Sequence, residues 1–244
     1  MSVLDQPWYY HWFNEDYLKF YAHRDAKEAE QQVDFIIKAL RLSGNERILD
    51  VGCGWGRHAL ALAQRHWHVV AIDQSPFLIR TAKEAASSTP NLPVKFQIAD
   101  IRNFKDDHLF DVVLNLFTSF GYFDDDDENF AIIGNMRAQL VVEGLLVLDY
   151  LHPDAVRSGL IPYEEQSIDD VSIKIYRTIE DDSIIKTIVF PHQQYQERVK
   201  LYSRDRLEVM FTEQGCKVVE VWNDYQGNPW KTHGDRQIFH CRAV

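Results

Sequence analysis

The feature that most constrains this chain is a glycine-rich turn that directly follows a short apolar run. Residues 48–58 read ILDVGCGWGRH, with Gly52, Gly54 and Gly56 at alternate positions. A continuous apolar run is typical of a strand that is buried on both faces, as in a parallel sheet. Glycines after such a strand let the main chain approach a ligand and let helix N–H groups point at the ligand's negative group. The stretch therefore predicts a strand, a ligand-binding turn and a helix, in that order.

The same alternation of strand and helix continues along the chain and predicts the fold class. The predicted strands cover residues 47–51, 69–72, 94–98, 110–116, 145–150, 217–222 and 237–241. The predicted helices cover residues 14–41, 59–65, a segment from 75 onwards, 128–140 and 204–214. This order is typical of a doubly wound α/β domain, with a mostly parallel, seven-stranded, Rossmann-like sheet and helices on both faces.

One part of the chain departs from this alternation. In residues 160–203, apolar and polar residues alternate around turns, which predicts an inserted antiparallel sheet of two or three strands. We expect residues 1–244 to form a single domain in which this sheet either covers an acceptor pocket or forms the surface of a homodimer. Residues 1–42 form a predicted helical lid. Its aromatic residues 8–13 either cover a ligand or staple the lid to the core.

The composition limits which classes of binding partner and which cellular compartment we expect for this protein. The net charge of −11 disfavours a nucleic-acid partner. The three cysteines, Cys53, Cys216 and Cys241, have no CxxC spacing, which fits a reducing cytoplasm and predicts neither disulfide nor metal site. We see no signal peptide and no apolar run of about 18 residues, so a cytoplasmic protein without a membrane span is expected. The acidic residues 124–128 suit the start of a helix better than a cation site.

The glycine spacing also narrows the ligand. The dinucleotide motif needs a glycine where this chain has Arg57, and no P-loop lysine follows the turn. A nicotinamide-dependent oxidoreductase therefore remains only as the alternative interpretation. Asp73 ends the second predicted strand, where a carboxylate can accept hydrogen bonds from both hydroxyls of a ribose. The other interpretation is that Asp73 caps the helix beginning at Ser75-Pro76.

These motifs together resemble a known family. The stretches ILDVGCGWGRH, VVAIDQSP, VKFQIADIRNF and FDVVLNLFTSFGYF, within residues 46–150, are similar to class I S-adenosylmethionine-dependent methyltransferases. The segment NLFTSFGYF resembles a bacterial small-molecule-type branch. The chain lacks the Asn/Asp-Pro-Pro-Tyr/Phe motif of members that act on DNA bases or glutamine amides. The resemblance implies S-adenosylmethionine as cofactor, S-adenosylhomocysteine as product and no metal.

The resemblance also implies which residues bind the cofactor. Its methionine part would lie on Gly52, Cys53 and Gly54 beside Asp50, and its ribose would meet Asp73 next to Gln74. Asp100 and Ile101 would contact the adenine. Asn115 and Leu116 would lie near the methyl group, where Phe117 could also face. From the lid we add Tyr21, because aromatic faces suit a sulfonium.

Catalysis needs little from the protein beyond alignment. Methyl transfer is an in-line displacement on an activated donor, so a base need only remove a proton from the acceptor. His152, after the fifth strand, is the candidate base, and its other interpretation is a turn cap. Arg198, Tyr202, Trp230 and Arg236 are weaker candidates for the acceptor pocket, and Arg236 could hold an acceptor carboxylate or form a surface ion pair. The expected reaction is methyl transfer to nitrogen or oxygen of a small molecule, with protein or RNA as alternative acceptors.

Overall fold

The computed structural model describes residues 6–244, which contain eleven strands and eight helices. The strands are β1 (Arg47–Val51), β2 (His68–Asp73), β3 (Val94–Ile98), β4 (Phe110–Asn115), β5 (Leu140–Leu151), β6 (Tyr163–Ile168), β7 (Val171–Glu180), β8 (Ser183–Val189), β9 (Gln194–Lys200), β10 (Cys216–Trp222) and β11 (Arg236–Ala243). The helices are α1 (Tyr9–Trp12), α2 (Glu15–Phe20), α3 (Ala26–Leu40), α4 (Arg57–Gln64), α5 (Pro76–Ser87), α6 (Asp126–Ala138), α7 (Pro153–Ser158) and α8 (Arg204–Glu213).

Seven strands form one mostly parallel sheet in the order β10-β11-β5-β4-β1-β2-β3. Only β11 runs antiparallel to its neighbours, β5 and β10. The central strand β1 pairs with β2 on one side and β4 on the other, and four of its five residues are buried. Two apolar clusters cover the two faces of the sheet. The predicted doubly wound α/β fold is confirmed.

The order of the strands places the ligand crevice. Beyond the carboxyl ends of β1 and β4 the chain leaves in opposite directions along the sheet, first towards β2 and then towards β5. Crevices at such a switch point are where doubly wound proteins bind their ligands. The glycine turn after β1 therefore lies at the mouth of this crevice.

The N-terminal region differs from the prediction of one helix over residues 14–41. It forms two helices, α2 and α3, with a break over residues 21–25. Asn14 caps the first by accepting from the N–H groups of Asp16 and Tyr17, and Asp25 caps the second by accepting from Glu28 N–H. A second capping residue inside an apparently continuous pattern starts a new helix and lets the chain turn. Residues 1–5 of the predicted lid lie outside the described residues.

The inserted sheet has four antiparallel strands, in the order β6-β7-β8-β9, where two or three were predicted. The additional strand is β6, whose sequence YEEQSI has no buried residue and therefore no alternating pattern. Residues Ile173, Ile175 and Ile188 on one face pack with Trp12 and other rings of the N-terminal segment. The segment and the sheet thus form one layer beyond the carboxyl ends of the parallel strands. A dimer surface on this sheet stays a prediction.

Three smaller expectations concern charge and chemistry. The acidic run opens α6, with Asp125 as its cap and Asp126, Asp127 and Glu128 in the first turn, as predicted. Within residues 6–244, no cluster of three or more potential metal ligands occurs and no helix is both long and apolar enough to cross a membrane.

Candidate functional site

A cavity opens beyond the carboxyl ends of the central strands, and we call it the first cavity. About 1100 Å³ in it is not filled by atoms, part of which is open to solvent. Most of the predicted cofactor residues line it: Asp50, Gly52, Cys53, Gly54, Asp73, Gln74, Asp100, Ile101 and Leu116. They come from four strands and the turns that follow them, and the fold brings them together.

The glycine turn is fixed by main-chain bonds to β2. The N–H groups of Gly52 and Cys53 both donate to Ile72 O, at 2.9 and 3.0 Å. Gly52 has φ 69°, and a Cβ there would come within 2.6 Å of the Ser119 side chain. Gly54 has φ 57°, and nothing lies within 4 Å of where its Cβ would be. Gly52 is therefore needed for packing, while Gly54 keeps the wall of the cavity bare.

Asp73 is held with its carboxylate against the same turn. One oxygen accepts from Gly54 N–H at 2.9 Å and the other from Ser75 N–H at 2.8 Å. The cap of α5 is the Ser75 hydroxyl, which accepts from Leu78 N–H at 3.1 Å. A carboxylate has about four acceptor sites, so two remain for a ligand in the cavity. Burial raises the pKa of Asp73 above its ordinary value.

Asp50 is the other carboxylate of the first cavity, and it is almost completely buried. Its Oδ2 atom has no hydrogen-bond partner among the residues that the structure describes. Burial, and after it the charge of Asp73, raises the pKa of Asp50 to about 7. An unpartnered buried oxygen that borders a cavity is a ready acceptor for a cationic ligand group.

Asp100 lines the cavity but already has a strong partner. Its Oδ1 accepts from Arg102 N–H at 2.9 Å, and its Oδ2 accepts from two guanidinium nitrogens of Arg102 at 2.6 and 2.9 Å. Any ligand contact must use the acceptor sites that this ion pair leaves. Ile101 and Leu78 contribute apolar surface close by in the same wall.

Two predicted cofactor residues do not line the first cavity. Asn115 is fully buried, and its amide donates to Val51 O at 3.1 Å and Ser119 O at 3.2 Å, which ties the end of β4 to β1 and to the following loop. Tyr21 borders a neighbouring space, the second cavity, instead. Asn115 therefore holds together the strand ends next to the first cavity, and Tyr21 forms part of the wall of the second cavity.

His152 lies outside the walls of both cavities. Its Nδ1 accepts from Asp154 N–H at 3.3 Å and caps α7, and its Nε2 lies 2.9 Å from Lys231 O. The ring stacks on Trp230 and is 2% exposed. This geometry matches the capping role that was the alternative interpretation. A catalytic role stays a prediction, and it would require the ring to leave both contacts.

The second cavity lies between the central sheet, the inserted sheet and the N-terminal segment. It shares the walls Phe13, Tyr17, Arg24, Phe117 and Tyr122 with the first cavity, so the two spaces adjoin. The rest of its wall combines aliphatic groups with charged groups, among them Leu151, Val156, Leu160, Arg177, Ile184, Lys186, Glu197, Val199 and Arg236. Of the weaker acceptor candidates, Arg236 alone borders it, whereas Arg198, Tyr202 and Trp230 do not.

Glu197 joins the inserted sheet to the N-terminal segment. Its Oε1 accepts from Trp12 Nε1 at 2.6 Å and from the Tyr21 hydroxyl at 2.7 Å, and its Oε2 accepts from Lys186 Nζ at 2.5 Å. Burial acts to raise the pKa of Glu197, but the Lys186 charge and these hydrogen bonds outweigh it and hold the pKa below its ordinary value. A charged carboxylate therefore anchors the layer that covers the crevice.

Arg24 is a site residue that sequence reasoning missed. Its guanidinium carbon lies 4.0 Å from the ring centre of Tyr21 and 4.1 Å from that of Phe117, and the side chain borders both cavities. Among residues 6–244, no carboxylate pairs with it, whereas Arg57 has Glu28 and Arg236 has Asp149. Stacking uses the faces of a guanidinium and leaves its in-plane N–H groups free for an anion.

Comparison with known proteins supports the resemblance seen in the sequence. Residues 48–144 match a family model described as a methyltransferase domain. The chain is 31% identical over 133 residues to a glycine/sarcosine N-methyltransferase of Parasynechococcus marenigrum (strain WH8102), covering 54% of this chain and 47% of the relative. It is 50% identical over 52 residues to a ubiquinone biosynthesis O-methyltransferase of Xylella fastidiosa (strain 9a5c), covering 21% of each. The chain thus spans about half or less of the length of these relatives.

Solved structures match over more of the chain and show its fold. An S-adenosylmethionine-dependent methyltransferase from Clostridium acetobutylicum ATCC 824 has a TM-score of 0.82 at 18% identity, over 94% of this chain and 99% of the other. CalS10, an amino pentose methyltransferase from Micromonospora echinaspora solved with S-adenosylmethionine, has a TM-score of 0.69 at 22% identity, over 94% and 97%. Residues 48–144 are thus similar to a methyltransferase domain, and the chain has the class I, Rossmann-like fold of these solved methyltransferases.

Proposed function

We propose that this protein is an S-adenosylmethionine-dependent methyltransferase that moves a methyl group to a nitrogen or oxygen atom of a small molecule. The observation that carries the proposal is the joint position of the glycine turn, Asp73 and Asp100. They follow three adjacent strands and line one cavity. A bare turn, a ribose-binding carboxylate and an adenine-side pocket are the parts that this cofactor needs.

The residues present fit the amino-acid end of the cofactor. Gly54 leaves open space above the turn, and the unpartnered Oδ2 of Asp50 can accept from an ammonium group. Arg24 is a cation without a carboxylate partner among the described residues, and it can bind a carboxylate with two parallel hydrogen bonds. We therefore assign the ammonium to Asp50 and the carboxylate to Arg24.

The residues present also fit the nucleoside end. Asp73 keeps two acceptor sites for ribose hydroxyls, and Gln74 beside it lines the same wall. Ile101 and Leu78 supply an apolar surface for a flat ring, and Asp100 stands at its edge. The turn residue Cys53 and Leu116 complete the assigned cofactor residues.

When bound, the sulfonium cofactor supplies an already activated methyl group. The protein's own contribution is to orient the acceptor in the adjoining second cavity and to keep water out, for which the N-terminal segment and the inserted sheet provide the walls. Alignment of this kind can supply on the order of 7–11 kcal/mol. No base is assigned, because the candidate base His152 lies outside the walls of both cavities.

Several observations support a small molecule as the acceptor. The second cavity lies under a covering layer, and the net charge of −11 disfavours RNA. The relatives named above act on glycine or sarcosine, in ubiquinone biosynthesis, or on an amino pentose, as their names state. Both nitrogen and oxygen acceptors occur among these names, so the proposal keeps both.

Calorimetry with S-adenosylhomocysteine tests the proposal. Wild-type protein is expected to bind it, and Asp73→Ala to weaken binding at least tenfold because the ribose loses its acceptor. Asp106→Ala is the matched control, since Asp106 forms a part-buried ion pair with Arg47 at the opposite end of β1. No binding by the wild type, or equal binding by Asp73→Ala, contradicts the proposal. Labelled S-adenosylmethionine and a panel of amines and alcohols, read by mass spectrometry, then separate nitrogen from oxygen acceptors.

A further inference from the structure

The loop after β4 holds two residues in an unfavourable backbone conformation. Phe117 has φ 62° and Thr118 has φ 63°, both in the left-handed region. That region is uncommon for an aromatic residue and an outlier for a β-branched one. Such residues persist only where the surrounding structure over-determines them, and they cluster at functional sites.

A buried ion pair provides that surrounding structure. Asp149, fully buried in β5, accepts from Phe117 N–H at 3.1 Å with its carboxylate and from Thr118 N–H at 3.0 Å with its main-chain oxygen. Arg236, at the start of β11, donates from Nε to the Asp149 carboxylate and from Nη2 to the Thr118 hydroxyl at 2.7 Å. The Tyr225 hydroxyl donates to the same carboxylate at 2.8 Å. The main-chain N–H groups of both strained residues therefore donate hydrogen bonds to Asp149, and the Thr118 hydroxyl also accepts one from Arg236.

The result of this conformation is the position of the Phe117 ring. The ring borders both cavities, so it stands where a methyl donor and an acceptor would meet. The guanidinium carbons of Arg24, Arg57 and Arg236 lie 4.1, 4.4 and 5.3 Å from the ring centre. Arg236 thus contacts the ring as well as the loop that carries it.

We infer that Asp149 and Arg236 are positioning residues, which hold Phe117 as the wall between cofactor and acceptor and so set the line of approach to the methyl group. The inference rests on the proposed function. It also replaces both earlier interpretations of Arg236, because the carboxylate that it binds is buried Asp149 rather than an acceptor or a surface group.

The test compares two cofactor analogues by calorimetry. S-adenosylhomocysteine has nothing at the methyl position, whereas sinefungin has a carbon in place of the sulfur and carries an amino group at the methyl position. Arg236→Lys keeps the positive charge beside Asp149 but loses the fork that also reaches Thr118. We expect it to weaken sinefungin fivefold or more while S-adenosylhomocysteine changes less than twofold, because only sinefungin meets the displaced ring.

Matched variants separate positioning from a general loss of stability. Arg47→Lys alters another part-buried ion pair, with Asp106 at the opposite end of β1, and is expected to leave the ratio of the two affinities unchanged. Adding Thr118→Asn to Arg236→Lys is expected to restore the ratio in part, because asparagine tolerates the left-handed region. Thr118→Val replaces the hydroxyl that is bonded to Arg236 with a methyl group. If Arg236→Lys does not fold, Thr118→Val should weaken sinefungin more than S-adenosylhomocysteine in the same way.

The outcomes are distinct. If both analogues weaken by the same factor in Arg236→Lys and Thr118→Val, or if neither changes, the positioning inference is wrong. A selective loss of sinefungin affinity in Arg47→Lys would also overturn the inference. Wild-type protein that binds neither analogue contradicts the proposed function itself, which is a separate result.

Discussion

At the scale of single residues, Arg24 provides the most direct test of how the first cavity binds the carboxylate of its ligand. We expect Arg24→Gln to weaken S-adenosylhomocysteine about 10- to 100-fold, since a charge-assisted hydrogen bond contributes about 1.5–3 kcal/mol. Methylthioadenosine, which lacks the amino-acid carboxylate, should bind the wild type and the variant equally. Calorimetry of both ligands with both proteins directly gives the coupling free energy between Arg24 and the amino-acid part of the ligand.

The control for this prediction is Arg65→Gln, which changes an arginine that pairs with Asp34 on the outer surface. It should leave both affinities unchanged. If Arg24→Gln weakens methylthioadenosine as much as S-adenosylhomocysteine, Arg24 shapes the cavity but does not bind the carboxylate.

Residues differ in how far the sequence predicts them. Gly52, Gly54 and Asp73 follow strands at fixed spacing, so local pattern is enough to place them in the cavity. Arg24 lies between two helices with no motif around it, and its position depends on how the N-terminal segment folds back over the crevice. Asp149 and Arg236 meet only because β11 pairs with β5, which sequence spacing does not show.

At the scale of elements, β1, β2 and β4 were predictable because each is a short apolar run that is mostly buried on both faces. In β3 only Phe96 is buried, and its prediction depended on the alternation of strands and helices. The strand β6 was not predictable, because it lies at the edge of the inserted sheet and carries polar residues on both faces. The short helix α7 was not predicted either, since its six residues have too few turns for a period to appear. The break between α2 and α3 depends on one capping residue, Asp25, which the abundance of helix-forming residues around it conceals.

The link between the N-terminal segment and the inserted sheet yields an element-scale prediction. Glu197→Gln should lower the free energy of unfolding by about 1–3 kcal/mol, because it leaves the Lys186 ammonium without its carboxylate in a site that is only partly open to water. Lys186→Met combined with Glu197→Gln should recover part of this loss, because no charge is then left unpaired. Urea unfolding of the wild type, Glu197→Gln, Lys186→Met alone and the double variant measures the cycle.

A matched comparison for this cycle is Glu15→Gln, which breaks the exposed ion pair with Lys19 on α2 and should change stability by less than about 0.5 kcal/mol. If Glu197→Gln has an equally small effect, Glu197 does not anchor the covering layer. A double variant as unstable as the sum of the single variants would show that the two side chains act independently.

At the scale of the whole molecule, stability and binding impose opposite demands on the first cavity. Asp50 is enclosed by the central sheet and lies near the charge of Asp73, and neither carboxylate has an ion-pair partner within residues 6–244. The fold therefore keeps unpaired acidic groups at its centre, where a cationic ligand group would neutralise them. Such an arrangement costs stability in the free protein and favours the bound state.

The pH dependence of unfolding tests this balance for the entire domain. The pKa of Asp50 is raised from 3.8 to about 7 in the folded protein, so the folded state binds the proton more tightly and stability falls as the pH rises through this range. This difference corresponds to at most about 4 kcal/mol. We expect Asp50→Asn to be more stable than the wild type at pH 8 and to have no such advantage at pH 4. Urea unfolding of the two proteins across this range measures the difference, in which contributions of other groups such as His58 cancel. A difference that does not vary with pH would contradict the raised pKa of Asp50. It would also contradict the idea that unpaired acidic groups in the first cavity lower the stability of the free protein.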